Sequence, residues 1–195
     1  MRRKADPADR LELTELLGSG GERDCWVHPA DSRLVVKTTH TVRRRPCQND
    51  LDYRYHKWLT RTGKLNPHIP RIVGWCQTQY GKGLVCERTL NADGTPALDL
   101  AQGLGDGRIT PKFALTLIEE AFAVFFKNGI TICDEEPNNF FCVRGEAGVR
   151  LVVVDGFGHR HRNLKTLLRN FISPLAGVKT RENKRRLVEF VRSFA

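Results

Sequence analysis

Two short apolar runs near residue 150 constrain this chain more than any other feature. Phe140 to Val143 and Val149 to Val154 are each long enough for a strand, and Gly145-Glu146-Ala147-Gly148 between them has turn chemistry. The spacing predicts a hairpin with acids at both ends. Asp134-Glu135-Glu136-Pro137-Asn138-Asn139 precedes the first run, and Asp155 closes the second, directly before Gly156-Phe157-Gly158. A hairpin folds those two ends back to one sheet edge. Asp134, Asn139 and Asp155 are therefore expected to gather there, as oxygen groups able to face one metal–phosphate group. Taken singly, Asp134 or Asp155 reads as a turn cap, as acids after strands often are.

The rest of the chain supplies the setting. Leu13 to Leu17, Asp24 to His28 and Leu34 to Lys37 read as strands, the first two joined through Gly18-Ser19-Gly20-Gly21. Asn49 to Leu59 suits a helix, and Pro70 to Val73 and Gly83 to Cys86 read as two further strands of the same sheet. Gly103 to Gly107 reads as a glycine-rich loop. After it, Ala114, Leu117, Ile118, Ala121, Phe122 and Phe125 recur at helical steps, with Thr110 as cap, Pro111 in the first turn and Asn128-Gly129 as the stop. Strands, then a buried helix, then a hairpin give an α+β order. With 195 residues, 40% of them hydrophobic, one substantial core is expected.

Phosphoryl transfer from ATP needs groups over the phosphates, oxygen ligands for magnesium and a carboxylate to orient the attacking hydroxyl. All of these occur here in the order found in protein kinases. Gly18, Gly20 and Gly21 allow backbone to approach phosphates. Lys37, ending its strand, matches the lysine that pairs with them, and Asp52 on the following helix is the acid expected to hold Lys37. Asp134 and Asn139 have the spacing of the catalytic loop, in which the acid accepts the substrate proton and the amide ligates magnesium. Asp155 before glycines matches the metal-binding carboxylate of the D-F-G segment.

At these residues the sequence resembles the PhoP regulatory network proteins of the YrbL type, which are kinase-like proteins of bacteria. The resemblance runs through Leu17 to Pro29, Ile69-Pro70-Arg71, Gly81 to Val85, Ile130 to Cys142 and Val152 to Gly158. It implies a protein-kinase-like fold and regulation with the magnesium-responsive PhoP system, and it carries over no substrate. The expectation is a single kinase-like domain over 1–195. Residues to about 90 would form an antiparallel sheet lobe with one helix, and those from about 91 a reduced helical lobe. ATP and Mg2+ are the expected cofactors, and the hydroxyl of an acidic protein or a small molecule the expected acceptor.

Three departures keep a second reading open. Ile132-Cys133 stands in place of the usual His-Arg before the catalytic acid, and Glu136 occupies the position of a phosphate-neutralising lysine. No A-P-E element follows Gly158. A pseudokinase that binds nucleotide without turnover has the same fold and accommodates these changes. A nucleic-acid-binding protein is the third reading, suggested by the net charge of +10 but lacking any nucleic-acid-binding motif. From Gly156 onward there are ten Lys or Arg against two acids. A final helix capped by Thr180, with Leu187, Phe190, Val191 and Phe194 on one face, would leave Arg181, Arg185 and Arg192 in solvent. Together with Arg160, Arg162, Lys165 and Arg169 they could form a docking surface for an acidic partner.

No apolar run is long enough to span a bilayer, and Met1 to Arg10 carries basic residues with no apolar stretch behind them, so a cytoplasmic protein is expected. The six cysteines lack C-x-x-C spacing and read as free thiols, mostly small core fillers. The histidines have no metal-ligand spacing.

Overall fold

The computed structural model describes residues 10–40, 47–158 and 174–195. The chain divides into two compact units. The first comprises residues 1–58 and 70–88, the second 59–69 and 89–195.

The first unit is a six-stranded sheet with a helix. Its strands are β1 (Arg10–Leu11), β2 (Leu16–Ser19), β3 (Arg23–Val27), β4 (Leu34–Thr39), β5 (Ile72–Thr78) and β6 (Gly81–Glu87), in the order β1-β5-β6-β4-β3-β2. All neighbours are antiparallel except β1, which lies parallel to β5 and so departs from the expected all-antiparallel sheet. The period-2 alternation of a strand divides the core between the two sheet faces. Val36 and Val85 pack with Leu13 on one face, while Val35, Leu84 and Cys86 pack with Tyr53 and Trp75 on the other. Val36 and Leu84 are fully buried, each worth about 1.5–3 kcal/mol relative to exposure. Gly83 is required here, because a Cβ at that position would overlap Val36. Helix α1 (Gln48–Arg61) opens with Asp50, whose carboxylate accepts the Cys47 N–H at 3.3 Å and suits the positive end of the helix.

The second unit carries a three-stranded sheet, β7 (Leu98–Asp99), β8 (Phe140–Gly145) and β9 (Gly148–Val153), in that order. Helices α2 (Leu100–Gly105), α3 (Pro111–Asn128) and α4 (Pro174–Arg192) complete it. The stretch Gly103 to Gly107, which reads as a loop in the sequence, instead starts within α2. Asp99 caps that helix by accepting the Gln102 N–H, and Gly103 is buried where a Cβ would strike Ile109. Close packing, rather than turn geometry, explains that glycine. Thr110 caps α3 through the Phe113 N–H, and Gly129 ends it in the left-handed conformation, φ 63°.

Phe122, Phe125 and Phe140 fill the core of the second unit, with Phe122 stacked on Phe140. The segment 59–69 is tied to β9. Val153 N–H donates to the His68 carbonyl at 2.8 Å, and a ring nitrogen of His68 meets the Leu151 carbonyl at 2.7 Å. Helix α4 packs on α3 with Leu187 and Val191 fully buried, whereas Phe190 is half-buried and Phe194 exposed. Thr180 does not cap α4, which starts at Pro174; it is a buried interior residue bonded to a loop backbone.

Among the described residues no helix is long and apolar enough to cross a membrane. None of the six cysteines is in a disulfide, and Cys86 and Cys142 are buried. The other four are half-buried, and of these Cys76 and Cys25 pack against the two core clusters of the first unit, so four of the six thiols fill core space.

Candidate functional site

In the first unit the glycine turn closes through the Gly20 N–H, which donates to the Arg23 carbonyl at 2.8 Å. Gly18, Gly20 and Gly21 are exposed, and none has positive φ. A Cβ at Gly18 or Gly21 would meet nothing within 4 Å. Neither backbone strain nor crowding within the hairpin demands glycine at these positions. Next to the turn, Asp24 accepts from the Ser19 hydroxyl and pairs with His40 Nε2 at 2.7 Å. These two contacts, the serine first, hold the Asp24 carboxyl below its ordinary range.

Lys37 lies in β4 between Cys25 of β3 and Leu84 of β6. Its carbonyl accepts from the Asn49 side chain at 2.7 Å, which ties the strand to α1. The sequence suggests Asp52 as the acid that holds Lys37. In the structure the Arg23 guanidinium donates to Asp52 Oδ2 at 2.5 Å and to Asn49 Oδ1 at 3.0 Å, and Gln48 donates to Asp52 Oδ1 at 2.8 Å. Arg23 and Asp52 are both buried. Sequence reading misses Arg23 as the partner of the helix acid, because its strand position carries no kinase-motif signal. The charges of Lys37, Asp52 and Arg23 all act on the Cys86 thiol, whose burial pushes it up to about 11. By strand alternation Lys37 shares the face of Val35, the face against which Tyr53 of α1 packs.

In the second unit, Asp134, Asn139 and Asp155 come from one continuous turn-and-hairpin segment. Pro137–Asn139 forms a single 3-10 turn that delivers the chain into β8, and β8 pairs with β9 from Phe140↔Val153 to Gly145↔Gly148. The end of β9 therefore returns beside the start of β8. Val154 N–H donates to the Asn139 carbonyl at 3.0 Å, and the Asn139 side-chain amide donates to Asp134 Oδ2 at 3.4 Å. That bond occupies the amide nitrogen and does not use the amide oxygen. Asp155 Oδ1 accepts the Gly156 N–H at 2.7 Å.

Beyond Asp155 the chain runs against the segment leading to Asp134. Cys133 N–H donates to the Gly156 carbonyl at 2.6 Å, Gly158 N–H donates to the Thr131 carbonyl at 2.9 Å, and Ile132 bridges Phe157. Gly156 has φ 75°, and a Cβ there would overlap the Asp134 side chain. Here glycine is needed twice, for the left-handed turn and for the close approach of Asp134.

The sequence thus predicts the edge on which Asp134, Asn139 and Asp155 meet. It does not reveal what stands behind them. Arg186 of α4 donates to Glu135 at 2.7 Å, and the Asn183 amide donates to the Ile132 carbonyl at 2.8 Å. Partial burial would raise the Glu135 carboxyl, but the Arg186 hydrogen bond and the charges of Arg186 and Lys179 outweigh it and leave it below its usual range. These partners lie about fifty residues apart in sequence, so no local pattern marks them. Glu136 is exposed, as are Arg181, Arg185 and Arg192 on α4; Arg160, Arg162, Lys165 and Arg169 lie outside the described residues.

No group of three or more His, Cys, Asp or Glu gathers as a metal cluster among the described residues. The second-unit edge offers the Asp155 carboxylate and the Asn139 amide oxygen. These hard oxygens suit magnesium when phosphate oxygens complete its shell.

Together these features define a mixed α/β protein in two units, with a carboxylate–amide edge built by a turn and a hairpin. The family described as PhoP regulatory network protein YrbL matches residues 10–194, and the chain belongs to that family. It is 29% identical over 156 residues to the uncharacterized protein YrbL of Escherichia coli strain K12, an alignment covering 76% of this chain and 73% of that protein. The uncharacterized protein YrbL of Shigella flexneri is similar to the same extent.

Proposed function

We propose that this protein is a cytoplasmic, kinase-like phosphotransferase that binds ATP with magnesium and acts on the hydroxyl of a protein or small molecule within PhoP-type regulation. The observation that carries this reading is the meeting of Asp134, Asn139 and Asp155 at one edge, with Gly156 shaped to admit Asp134. In this reading Asp155 and the Asn139 amide oxygen hold the magnesium, and Lys37 supplies a cation for the phosphates. Asp134 accepts the proton of the attacking hydroxyl. Further support comes from the open space at Gly18 and Gly21, where the fold gives no reason of its own for glycine. The exposed Arg181, Arg185 and Arg192 suit an acidic partner.

A second reading, a pseudokinase, is favoured by one observation: Glu136 is exposed two residues from Asp134, where it would repel a phosphoryl group. The two readings separate in one assay. Purified protein is given labelled ATP with magnesium and scored for autophosphorylation and ATP hydrolysis, beside Asp134→Asn and Asp155→Ala. A transferase loses about 100-fold or more in turnover in Asp134→Asn with nucleotide affinity intact. Equal residual rates in wild type and Asp134→Asn identify the pseudokinase. Asp155→Ala should remove the magnesium dependence of ATP binding in either case, and Lys37→Ala should weaken that binding. Absence of ATP binding at millimolar nucleotide overturns both readings.

A further inference from the structure

The loop carrying Asp134 is held from two sides. One side is the Gly156–Gly158 backbone described above. The other is helix α4, which presents Thr180, Asn183 and Arg186 at steps of three residues, a single helical stripe. The Thr180 hydroxyl accepts the Ile132 N–H at 3.2 Å and donates to the Ile130 carbonyl at 3.5 Å. The Asn183 amide donates to the Ile132 carbonyl at 2.8 Å. Both backbone groups of Ile132 are thereby bonded to α4. Past Asp134, Arg186 holds Glu135 at 2.7 Å and is itself braced by Glu182, one turn back, also at 2.7 Å.

The bonds from α4 therefore fall on the residues before and after Asp134. Thr180 and Asn183 are fully buried, yet Asn183 Oδ1 has no hydrogen-bond partner among the described residues. An unsatisfied buried acceptor is destabilising, a penalty that an apolar residue would not carry. The benefit set against that cost is the bond to Ile132. The sequence has Ile132-Cys133 where protein kinases use His-Arg to support the catalytic acid, so that support has to come from elsewhere.

We infer that α4 is the support for Asp134, with Thr180, Asn183 and Arg186 as positioning residues that fix the 131–135 loop from outside. The inference rests on the phosphotransfer reading for its functional meaning, though not for the anchoring itself. It places catalytic support in the C-terminal helix, a segment that sequence reading assigns to docking.

The test uses the full chain and two readouts. Hydrogen exchange by mass spectrometry follows residues 130–136, and steady-state kinetics with Mg-ATP separate kcat from KM. Loss of a buried hydrogen bond in Asn183→Leu should speed exchange of the segment about tenfold. Arg186→Gln, on a part-exposed pair, should speed it about threefold. Both should lower kcat with KM for ATP unchanged, by about tenfold or more for Asn183→Leu, since displacing a reacting group by an ångström can cost a hundredfold. Arg186→Lys should restore both readouts. Lys184→Gln, which removes a pair to Glu119 of α3 and none to the loop, should leave both at wild-type values.

Exchange in residues 130–136 that stays at the wild-type rate in Asn183→Leu and Arg186→Gln overturns the anchoring. Faster exchange with unchanged kcat overturns the positioning role. If the wild type itself turns over no ATP, the phosphotransfer reading fails separately, and exchange alone decides whether α4 anchors the loop.

Discussion

Breaking the Arg23–Asp52 pair should destabilise the first unit more than replacing the pair whole. Arg23 is 8% exposed and Asp52 3%, with 2.5 Å between guanidinium nitrogen and carboxylate oxygen. Asp52→Ala removes the acceptor of both the Arg23 and the Gln48 bonds and takes a carboxylate away from a buried guanidinium, with Asn49 Oδ1 still accepting from it. Such a loss typically costs about 3–5 kcal/mol. Replacing both partners by apolar residues, as in Arg23→Met with Asp52→Leu, removes the charges and their desolvation together. That double variant still strips Asn49 Oδ1 of the Arg23 donor and Gln48 of the Asp52 acceptor, so it should cost about 1–3 kcal/mol, below the single variant.

The assay is urea unfolding followed by tryptophan fluorescence. All three tryptophans, Trp26, Trp58 and Trp75, belong to the first unit, so the signal reports that unit selectively. A double-mutant cycle of wild type, Arg23→Met, Asp52→Leu and the double variant isolates the coupling between the two side chains. A cost below about 1 kcal/mol for Asp52→Ala would refute the reasoning, because it would mean the pair is hydrated and behaves like a surface ion pair.

Two further outcomes follow from single sites. Gly156→Ala should destabilise the second unit by at least about 1–3 kcal/mol, and even variants that fold should lose Asp134-dependent turnover, because the new Cβ meets the Asp134 side chain at φ 75°; wild-type stability in a calorimetric scan would exclude this close approach. Burial pushes the Cys86 and Cys142 thiols up to about 11 and about 12, so both should resist alkylation at pH 9 in the native protein and react on unfolding. Their raised values stabilise the fold fully below the ordinary thiol range near 9.0, and that contribution is lost as pH rises through 11 to 12. Replacing both by Ala should flatten this alkaline fall in unfolding free energy.

The sequence by itself determined the elements whose signals are local. Helix α3 is legible because its cap, its first-turn proline, its apolar face and its terminal glycine all lie within about twenty residues. The β8–β9 hairpin is equally legible, since four turn residues join two apolar runs. A hairpin returns its ends to one edge wherever it is placed, so residue order alone brings Asn139 beside Asp155, while Asp134 reaches them through the backbone bonds between 131–133 and 156–158.

Tertiary structure decided what depends on distant packing. Gly103 looks like loop chemistry in sequence, and only its contact with Ile109 explains a glycine inside a helix. Thr180 looks like a cap, and only the Ile130 and Ile132 backbone beside it explains a hydroxyl in the middle of α4. Kinase analogy points to Asp52 on α1 but not to the guanidinium from β3 that reaches it, because strand register rather than residue spacing controls that approach. Arg186 and Asn183 leave no trace in sequence for the same reason. A hydrogen bond across about fifty residues has no period, and its two ends become neighbours only once α4 is packed against α3.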